Sequence, residues 1–256
     1  MKTVAVVPAA GSGSRMNREV SKQYLSLAGK PVLVHTLEAL EACPGVESLC
    51  VVVAPQDLST VRDEVLAPWG LRKTAAIVPG GRERQDSVRA GLEAVARDAD
   101  IVLIHDAVRP FISAELVERC IRAAAETGAA ALGVPVKDTV KEVTPDGRIV
   151  KTCDRTVIWL AQTPQAFRRD IIERAHREAF RDGFRGTDDT SLVERLGIAA
   201  RMIPGDYGNI KITTLEDLAV AEVLLRLKAT GERRRTNGEG RESAVLRGPM
   251  RKRFEP

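Results

Sequence analysis

The feature of this chain that most limits its fold is the alternation of short apolar runs with longer amphipathic stretches. The apolar runs are rich in Val, Ile, Leu and Ala, and they are too continuous for strands with one face in water. The stretches between them repeat apolar residues every three or four positions, which is typical of helices. The pattern predicts an α/β, Rossmann-like fold in which helices cover both faces of a mostly parallel sheet. The predicted strands are Thr3–Pro8, Ser48–Ala54, Ala75–Val78, Ile101–His105 and Ala130–Val134, and the predicted helices are Val32–Ala42, Ser59–Leu66, Gln85–Ala96, Ala114–Glu126 and Glu216–Leu227.

The alternation is interrupted between residues 136 and 156. Two strand-like segments there flank Pro145-Asp146-Gly147, a sequence that favours a tight turn. A hairpin inserted into an otherwise alternating α/β chain is a candidate arm or lid. We therefore predict a β-hairpin arm over about residues 136–156.

Composition predicts one domain followed by a basic segment. The chain of 256 residues is long enough for one sizeable α/β domain, which we place at residues 1–230. Residues 231–256 are rich in Arg and lack apolar periodicity, so we predict a basic, disordered tail there. No apolar stretch is long enough to span a membrane, and the four scattered cysteines form no disulfide or zinc pattern. We expect a cytoplasmic protein with neither a membrane nor a nucleic-acid partner.

The first predicted strand runs directly into the glycine-rich turn Ala9-Ala10-Gly11-Ser12-Gly13-Ser14. Small residues let a phosphate chain approach the backbone closely, and successive N–H groups can bind its oxygens. Arg15 and Lys22 add two cations beside this turn, which suits a triphosphate. Met16 stands where the dinucleotide-binding motif needs a third glycine, and the Walker motif is absent. The sequence favours a triphosphate site, with a plain strand–helix turn flanked by solvated charges as the alternative.

Six sequence blocks carry a resemblance to one enzyme family. They are VVPAAGSGSRM…SKQYLSLAGKPVLVHTLEAL at 6–40, GGRERQDSVRAGL at 80–92, HDAVRPF at 105–111, PVKDTVKEV at 135–143, TPQAF at 163–167 and GNIKITTLEDL at 208–218. In this order, they resemble the 2-C-methyl-D-erythritol 4-phosphate cytidylyltransferases of the non-mevalonate isoprenoid pathway. The resemblance covers about residues 3–228.

The resemblance implies a reaction, a cofactor and a quaternary structure. A cytidylyl group would pass from CTP to 2-C-methyl-D-erythritol 4-phosphate, giving 4-diphosphocytidyl-2-C-methyl-D-erythritol and pyrophosphate. Mg²⁺ or another divalent cation would bridge triphosphate oxygens, and we assign it no direct protein ligand. The protein would be a homodimer in which each arm completes the partner's acceptor site.

The resemblance also implies roles for individual residues. Arg15 and Lys22 would be catalytic, because they would neutralise charge on the attacked α-phosphate. Thr139 and Arg155 on the arm would reach across the dimer interface to the acceptor's phosphate. The residues implied for nucleotide binding are Pro8, Ala9, Ala10, Gly11, Ser12, Gly13, Ser14, Gly81, Ser87, Asp106 and Ala107, and those implied for acceptor binding are Arg109, Thr139, Arg155, Thr163, Thr187 and Lys211.

Four other functions remain open at this point. A ribitol-5-phosphate cytidylyltransferase shares the glycine-rich loop, although Tyr24 after Lys-Gln favours the methylerythritol enzyme. Sugar-phosphate nucleotidyltransferases that use UTP or GTP come next. A nicotinamide oxidoreductase would explain the sheet but not Met16, and a non-catalytic nucleotide- or RNA-binding protein would depend on the basic tail. We interpret His105 as a packed residue rather than a base, and Arg82, where some relatives carry an acid, argues against a sugar contact there.

Overall fold

The computed structural model describes residues 1–11 and 21–236. Its strands are β1 (Thr3–Ala9), β2 (Ser26–Leu27), β3 (Lys30–Pro31), β4 (Ser48–Val53), β5 (Thr74–Pro79), β6 (Ile101–Ile104), β7 (Ala129–Pro135), β8 (Lys141–Val143), β9 (Ile149–Thr152), β10 (Trp159–Arg168) and β11 (Arg201–Pro204). In this part of the chain, seven strands form one sheet in the order β11-β7-β10-β6-β1-β4-β5. Only β10 runs antiparallel to its neighbours within that sheet, so the sheet is mostly parallel.

Helices cover both faces of this sheet. The α-helices are α1 (Val32–Glu41), α2 (Leu58–Thr60), α3 (Arg84–Ala94), α4 (Ala114–Thr127), α5 (Arg169–Arg181), α6 (Asp189–Arg195) and α7 (Leu215–Thr236). Side chains from α1 and α4 form one apolar cluster with Ala5 and Val7 of β1. Side chains from α3, α5 and α6 form a second cluster with Val4 and Val6. Because successive residues of a strand point to opposite faces, β1 is buried on both sides.

The predicted α/β architecture is confirmed, and the predicted elements differ from the observed ones mainly at their ends. The segment predicted as one helix over Ser59–Leu66 is α2 followed by a wider π-helical turn over Val61–Leu66. Helix α7 continues to Thr236, past the expected end at Leu227, so the first residues of the basic segment are helical. Residues 237–256 of the predicted tail lie outside the described residues.

Strands β10 and β11 and helices α5 and α6 were not predicted from the sequence. Strand β10 gives no apolar signal because Gln162, Thr163 and Gln165 interrupt it, yet all three side chains are buried. The Gln165 amide donates to Asp188 at 2.7 Å and accepts hydrogen bonds at 3.1 Å from the backbone N–H groups of Asp189 and Thr190. These polar groups are satisfied across the interface with the start of α6, which makes their burial tolerable.

The predicted hairpin arm is present between β7 and β10. Strands β8 and β9 pair antiparallel, with Lys141 opposite Thr152, and Gly147 turns the chain with a φ of 84°. The side chains of Val143, Ile149 and Val150 on this arm are more than half exposed. Apolar side chains in this position are available for contact with another surface.

Among the described helices, none combines the length and the apolar character that crossing a bilayer requires. All four cysteines are free thiols, as the sequence predicted.

Helix α3 packs on the sheet through Gly91, and this contact yields a stability prediction. A Cβ at Gly91 would clash with Cγ1 of Val6 and lie 3.0 Å from Cγ2 of Val52. Overpacking of this kind costs about 1–3 kcal/mol, whereas Ala gains roughly 1 kcal/mol over Gly in a helix. Gly91→Ala should therefore lower the free energy of unfolding, measured by urea denaturation.

The matched control is Gly45→Ala, because a Cβ there would make only an ordinary contact of 3.4 Å with Cδ1 of Ile121. Its effect should stay within about 0.5 kcal/mol. A Gly91→Ala protein more stable than wild type would show that helix propensity outweighs the close approach of α3 to the sheet.

Candidate functional site

A cavity opens at the edge of the sheet where β1, β5 and β6 end. From β1 the chain moves first toward β4 and β5 and later to β6 on the other side, so this edge is a topological switch point. Open α/β sheets bind ligands at such points. The cavity volume of about 380 Å³ suits a small molecule. The lining residues are Pro8, Ala9, Ala10, Gly11, Lys22, Gln23, Gly81, Arg82, Glu83, Arg84, Ser87, Asp106, Ala107, Val108, Lys211 and Thr213.

The buried amide of Gln23 fixes the chain where it leaves β1. Its Nε2 donates hydrogen bonds to the carbonyl oxygens of Ala9 at 2.6 Å and of Gly11 at 3.1 Å. Lys22, the neighbour of Gln23, lines the cavity. Gln23 therefore sets the direction in which the glycine-rich turn starts. The remaining predicted residues of that turn, Ser12, Gly13, Ser14 and Arg15, lie outside the described residues.

The turn between β5 and α3 forms the facing wall of the cavity. A Cβ at Gly80 would lie 2.7 Å from both the Cβ of Ala10 and the Oγ of Ser87, so this close approach requires glycine. The Ser87 hydroxyl accepts a hydrogen bond from Gly81 N at 3.2 Å and donates one to Glu83 O at 3.1 Å. The predicted residues Gly81 and Ser87 thus belong to one braced turn that packs against Ala10.

Asp106 is a buried carboxylate surrounded by three cations. Its Oδ1 lies 3.1 Å from Nε of Arg84, and its Oδ2 lies 2.8 Å from Nζ of Lys211 and 3.8 Å from Nε of Arg109. Burial alone would raise the pKa of Asp106, but the charges of Arg84 and Lys211 outweigh burial and hold it below its usual value. Asp106 is therefore ionised at neutral pH, at the wall of a cavity with an excess of positive charge.

His105 precedes this carboxylate and is fully buried. Its Nε2 lies 3.0 Å from the carbonyl oxygen of Arg109, and its Nδ1 lies 3.2 Å from Oγ1 of Thr163. The carbonyl can only accept, so Nε2 carries the proton. Burial lowers the pKa of His105 to about 4, which leaves the ring neutral at pH 7. The interpretation of His105 as a packed residue is confirmed.

Three residues predicted to bind the acceptor lie in or directly behind the cavity. Lys211 lines it, and Thr163 accepts a hydrogen bond at 3.0 Å from the backbone N–H of Asp106. Arg109 donates from a terminal guanidinium nitrogen to the carbonyl oxygen of Asn209 at 2.8 Å. These contacts join the end of β6 to the middle of β10 and to the segment before α7.

The other three residues predicted to bind the acceptor do not line the cavity. Thr187 is exposed in the loop before α6. Thr139 and Arg155 are exposed on the arm, where Arg155 donates to the carbonyl oxygen of Lys137 at 3.1 Å. Within one subunit, the arm residues therefore remain separate from the nucleotide side of the site.

The sequence missed Gln23, Arg84 and Thr213, all of which line the cavity. Gln23 and Arg84 lie within two of the six sequence blocks that resemble the enzyme family. The sequence analysis nevertheless assigned neither residue a role. Their roles depend on contacts to Gly11 and Asp106, which are distant in the chain.

The residues around the cavity do not form a metal site made of protein alone. In residues 1–11 and 21–236, no three His, Cys, Asp or Glu side chains are placed to hold an ion. Asp106 and Glu83 line the cavity, and both oxygens of Asp106 already face cations. Mg²⁺ commonly keeps several waters and takes one or two carboxylates together with substrate phosphates. The donor set therefore fits an ion held mainly by a bound triphosphate.

Comparisons with known proteins agree on one family. Residues 3–227 match the model of IspD, 2-C-methyl-D-erythritol 4-phosphate cytidylyltransferase. A curated enzyme of that name from Syntrophus aciditrophicus is 53% identical over 225 residues, covering 88% of this chain and 96% of the relative. Another, from Pelotomaculum thermopropionicum, is 53% identical over 227 residues, covering 89% and 95%.

Solved structures give the same result. The 4-diphosphocytidyl-2C-methyl-D-erythritol synthase from Anaerococcus prevotii has a TM-score of 0.77 and 32% identity, covering 88% of this chain and 96% of that protein. The 2-C-methyl-D-erythritol 4-phosphate cytidylyltransferase from Thermus thermophilus has a TM-score of 0.73 and 33% identity, covering 88% and 100%. The residues matched by the family model, 3–227, include every residue that lines the cavity.

The low pKa of His105 gives a prediction of stability against pH. Between its usual pKa of 6.5 and about 4, the unfolded chain binds a proton that the folded protein does not. The free energy of unfolding should therefore fall as the pH drops from 6.5 to 4, by about 3 kcal/mol from this residue. Asp106, whose pKa is lowered from 3.8, contributes only below that window.

His105→Gln should remove much of this dependence of the free energy of unfolding on pH. Urea unfolding at several pH values from 7 to 4 measures it. The comparison rests on slopes rather than on absolute stability, because the substitution itself can lower stability at every pH. Equal slopes for the variant and the wild type would contradict the assignment of a neutral, buried His105.

Proposed function

Because this chain belongs to the 2-C-methyl-D-erythritol 4-phosphate cytidylyltransferase family, we propose that the cavity beside Asp106 binds CTP and 2-C-methyl-D-erythritol 4-phosphate together. The enzyme transfers the cytidylyl group of CTP to the acceptor and yields 4-diphosphocytidyl-2-C-methyl-D-erythritol and pyrophosphate. The observation that carries this proposal is the group of cations, Arg84, Arg109 and Lys211, gathered beside the cavity that Lys22 also lines.

The reaction joins two anions, which defines what the protein must supply. An oxygen of the acceptor's phosphate attacks the α-phosphorus of CTP, a P–O bond forms, and the bond to the β-phosphate breaks with its electron pair leaving on pyrophosphate. Negative charge on the α-phosphate rises in the transition state, and preorganised cations stabilise that charge better than water does. We assign this role to Lys22 and Arg15, and no covalent enzyme intermediate is needed.

The nucleotide side of the cavity is built from small residues. Ala9 at the end of β1, Ala10 directly after it and Gly81 all line the cavity, and Ala10 leaves little room for a larger purine base. The base contacts are assigned to backbone groups here, since the Ser87 hydroxyl already donates to Glu83 and holds the turn. We assign to Asp106 a hydrogen bond from the ribose or from a water molecule.

Mg²⁺ is the proposed cofactor, and when bound it supplies positive charge across the triphosphate oxygens. The support is the chemistry of the donor set, which leaves most coordination positions to phosphate and water. Asp106 and Glu83 are the carboxylates that line the cavity, and we assign neither as a direct ligand of the ion. The same cavity offers Lys211 and Arg84 to balance the remaining phosphate charge.

We further propose a homodimer in which the arm of each subunit completes the acceptor site of the other. Thr139 and Arg155 lie on the arm and do not line the home cavity, whereas Lys211 lines it and Thr163 lies directly behind it. A two-stranded hairpin is marginally stable alone, and this one exposes Val143, Ile149 and Val150. Contact with a partner subunit would bury these side chains and bring Arg155 to the acceptor's phosphate. Thr187 does not line the cavity of the single subunit, and we propose that it contacts the acceptor in the dimer. A cytoplasmic location, where the four thiols would stay reduced, remains a prediction.

Pyrophosphate release tests the reaction and the acceptor. Purified protein with CTP and Mg²⁺ should release pyrophosphate with 2-C-methyl-D-erythritol 4-phosphate, and not with ribitol 5-phosphate or without an acceptor. Lys22→Ala should lower kcat about 10²–10³-fold, because it removes a charge at the transition state. Arg15→Ala should act in the same direction.

The matched control for this loss of charge is Arg201→Ala, since Arg201 starts β11 at the opposite edge of the sheet and pairs only with Glu126 among the described residues. It should leave kcat unchanged. Release with ribitol 5-phosphate alone would reassign the acceptor, and near-normal turnover of Lys22→Ala would remove Lys22 from the mechanism.

Subunit mixing tests the arm. Arg155→Ala should raise the KM for the acceptor and leave the KM for CTP nearly unchanged, because Arg155 is proposed to bind only the acceptor's phosphate. When Lys22→Ala and Arg155→Ala subunits are unfolded together and refolded, hybrid dimers should regain one intact site each. Random pairing gives about a quarter of wild-type activity. The mixture is assayed at an acceptor concentration far below the KM of Arg155→Ala, where both parent variants turn over slowly. If the arm serves its own subunit instead, the mixture stays as slow as its components.

A further inference from the structure

Arg84 contacts two buried carboxylates that belong to different parts of the fold. Its Nε donates to Oδ1 of Asp106 at 3.1 Å, and a terminal nitrogen donates to Oδ2 of Asp189 at 2.7 Å. Asp106 lines the cavity, whereas Asp189 does not. A single guanidinium therefore joins the wall of the cavity to a residue behind it.

Asp189 is itself held firmly in place. It is 1% exposed and is the first residue of α6. Its Oδ1 lies 3.1 Å from Nε2 of His176 on α5, and its backbone N–H donates to the Gln165 side chain at 3.1 Å. Burial alone would raise the pKa of Asp189, but Arg84 and His176 outweigh burial and lower it. Asp189 is thus a fixed negative charge.

This arrangement determines how Arg84 can present itself to Asp106. The guanidinium is planar, with N–H groups in a rigid fork, so an ion pair on one side fixes the direction of the donors on the other. Lys211 and Arg109 both approach Oδ2 of Asp106, whereas Arg84 approaches Oδ1. Without Asp189, Arg84 would be free to rotate toward Asp106 or toward a bound phosphate.

We propose that Asp189 is a positioning residue for nucleotide binding, which acts through Arg84 to fix the orientation of the Asp106 carboxylate. The inference rests on the proposed function, which places CTP against Asp106. His176 supports the same chain of contacts from α5, and neither it nor Asp189 touches the nucleotide. The contacts that link His176 on α5, Asp189 on α6 and Arg84 on α3 would then support nucleotide binding as well as hold the three helices together.

A purely structural role for Asp189 makes a different prediction from a positioning role. Loss of a structural contact lowers the melting temperature and the fraction of active protein, and therefore the apparent kcat, while folded molecules bind CTP normally. Loss of positioning weakens CTP binding in every folded molecule. The Kd for CTP, measured calorimetrically with and without Mg²⁺, separates the two roles.

The test uses Asp189→Asn and Arg84→Lys in the full-length protein. Asp189→Asn keeps the side-chain shape and removes the charge, and Arg84→Lys keeps the charge and removes the fork. Each should raise the Kd and the KM for CTP about tenfold, as losing a supporting residue behind a ligand contact typically does. The kcat at saturating CTP should fall by less than the KM rises. If Asp189→Asn does not fold, His176→Gln decides, because it removes the other partner of Asp189 and His176 does not line the cavity.

The matched control is Asp182→Asn, because Asp182 also accepts an ion pair between α5 and α6, from Arg195 at 2.7 Å, but has no contact with Arg84. Its Kd for CTP should equal that of the wild type even if the melting temperature falls. Wild-type Kd values in both test variants would overturn the inference and leave the proposed function standing. A wild-type protein that neither binds CTP nor releases pyrophosphate would overturn both.

Discussion

The burial of the Asp106 carboxylate is the constraint on which the site depends. A carboxylate removed from water is stable only if cations and hydrogen-bond donors surround it. Here the cations come from three segments that are distant in sequence: Arg84 at the start of α3, Arg109 after β6 and Lys211 before α7. Their convergence on one carboxylate fixes these segments at the same edge of the sheet. The cavity lies beside this carboxylate, and Arg84 and Lys211 line it together with Asp106.

The same cations fit the proposed chemistry. Contacts within the protein hold these cations in position before any ligand binds, so phosphate groups would meet an arrangement that needs little rearrangement. Gly11 lines the cavity, and Gly80 lets the facing turn pack closely against Ala10. The side chains of Gln23 and Ser87 hold the backbone at these two places. Positive charge and close backbone approach therefore meet in one cavity.

The arm obeys a different constraint. The core of this fold is filled on both faces of the sheet, and the arm contributes nothing to it: among the described strands, β8 and β9 pair only with each other, and they leave apolar side chains in water. The core of one subunit therefore does not include the arm. In the proposed homodimer, contact with the partner subunit would bury these apolar side chains. The acceptor residues divide in the same way between the cavity and the arm.

The sequence by itself determined the parallel core, because β1, β4 and β6 are continuous apolar runs, and it placed the glycine-rich turn and the hairpin through local turn chemistry. It did not reveal β10, whose buried Gln162 and Gln165 look like surface residues until their partners are known. Only the tertiary structure gave Arg84 its partners, since they are 22 and 105 residues away in the chain. Periodicity reports on neighbours in sequence, and a buried charge network is decided by neighbours in space.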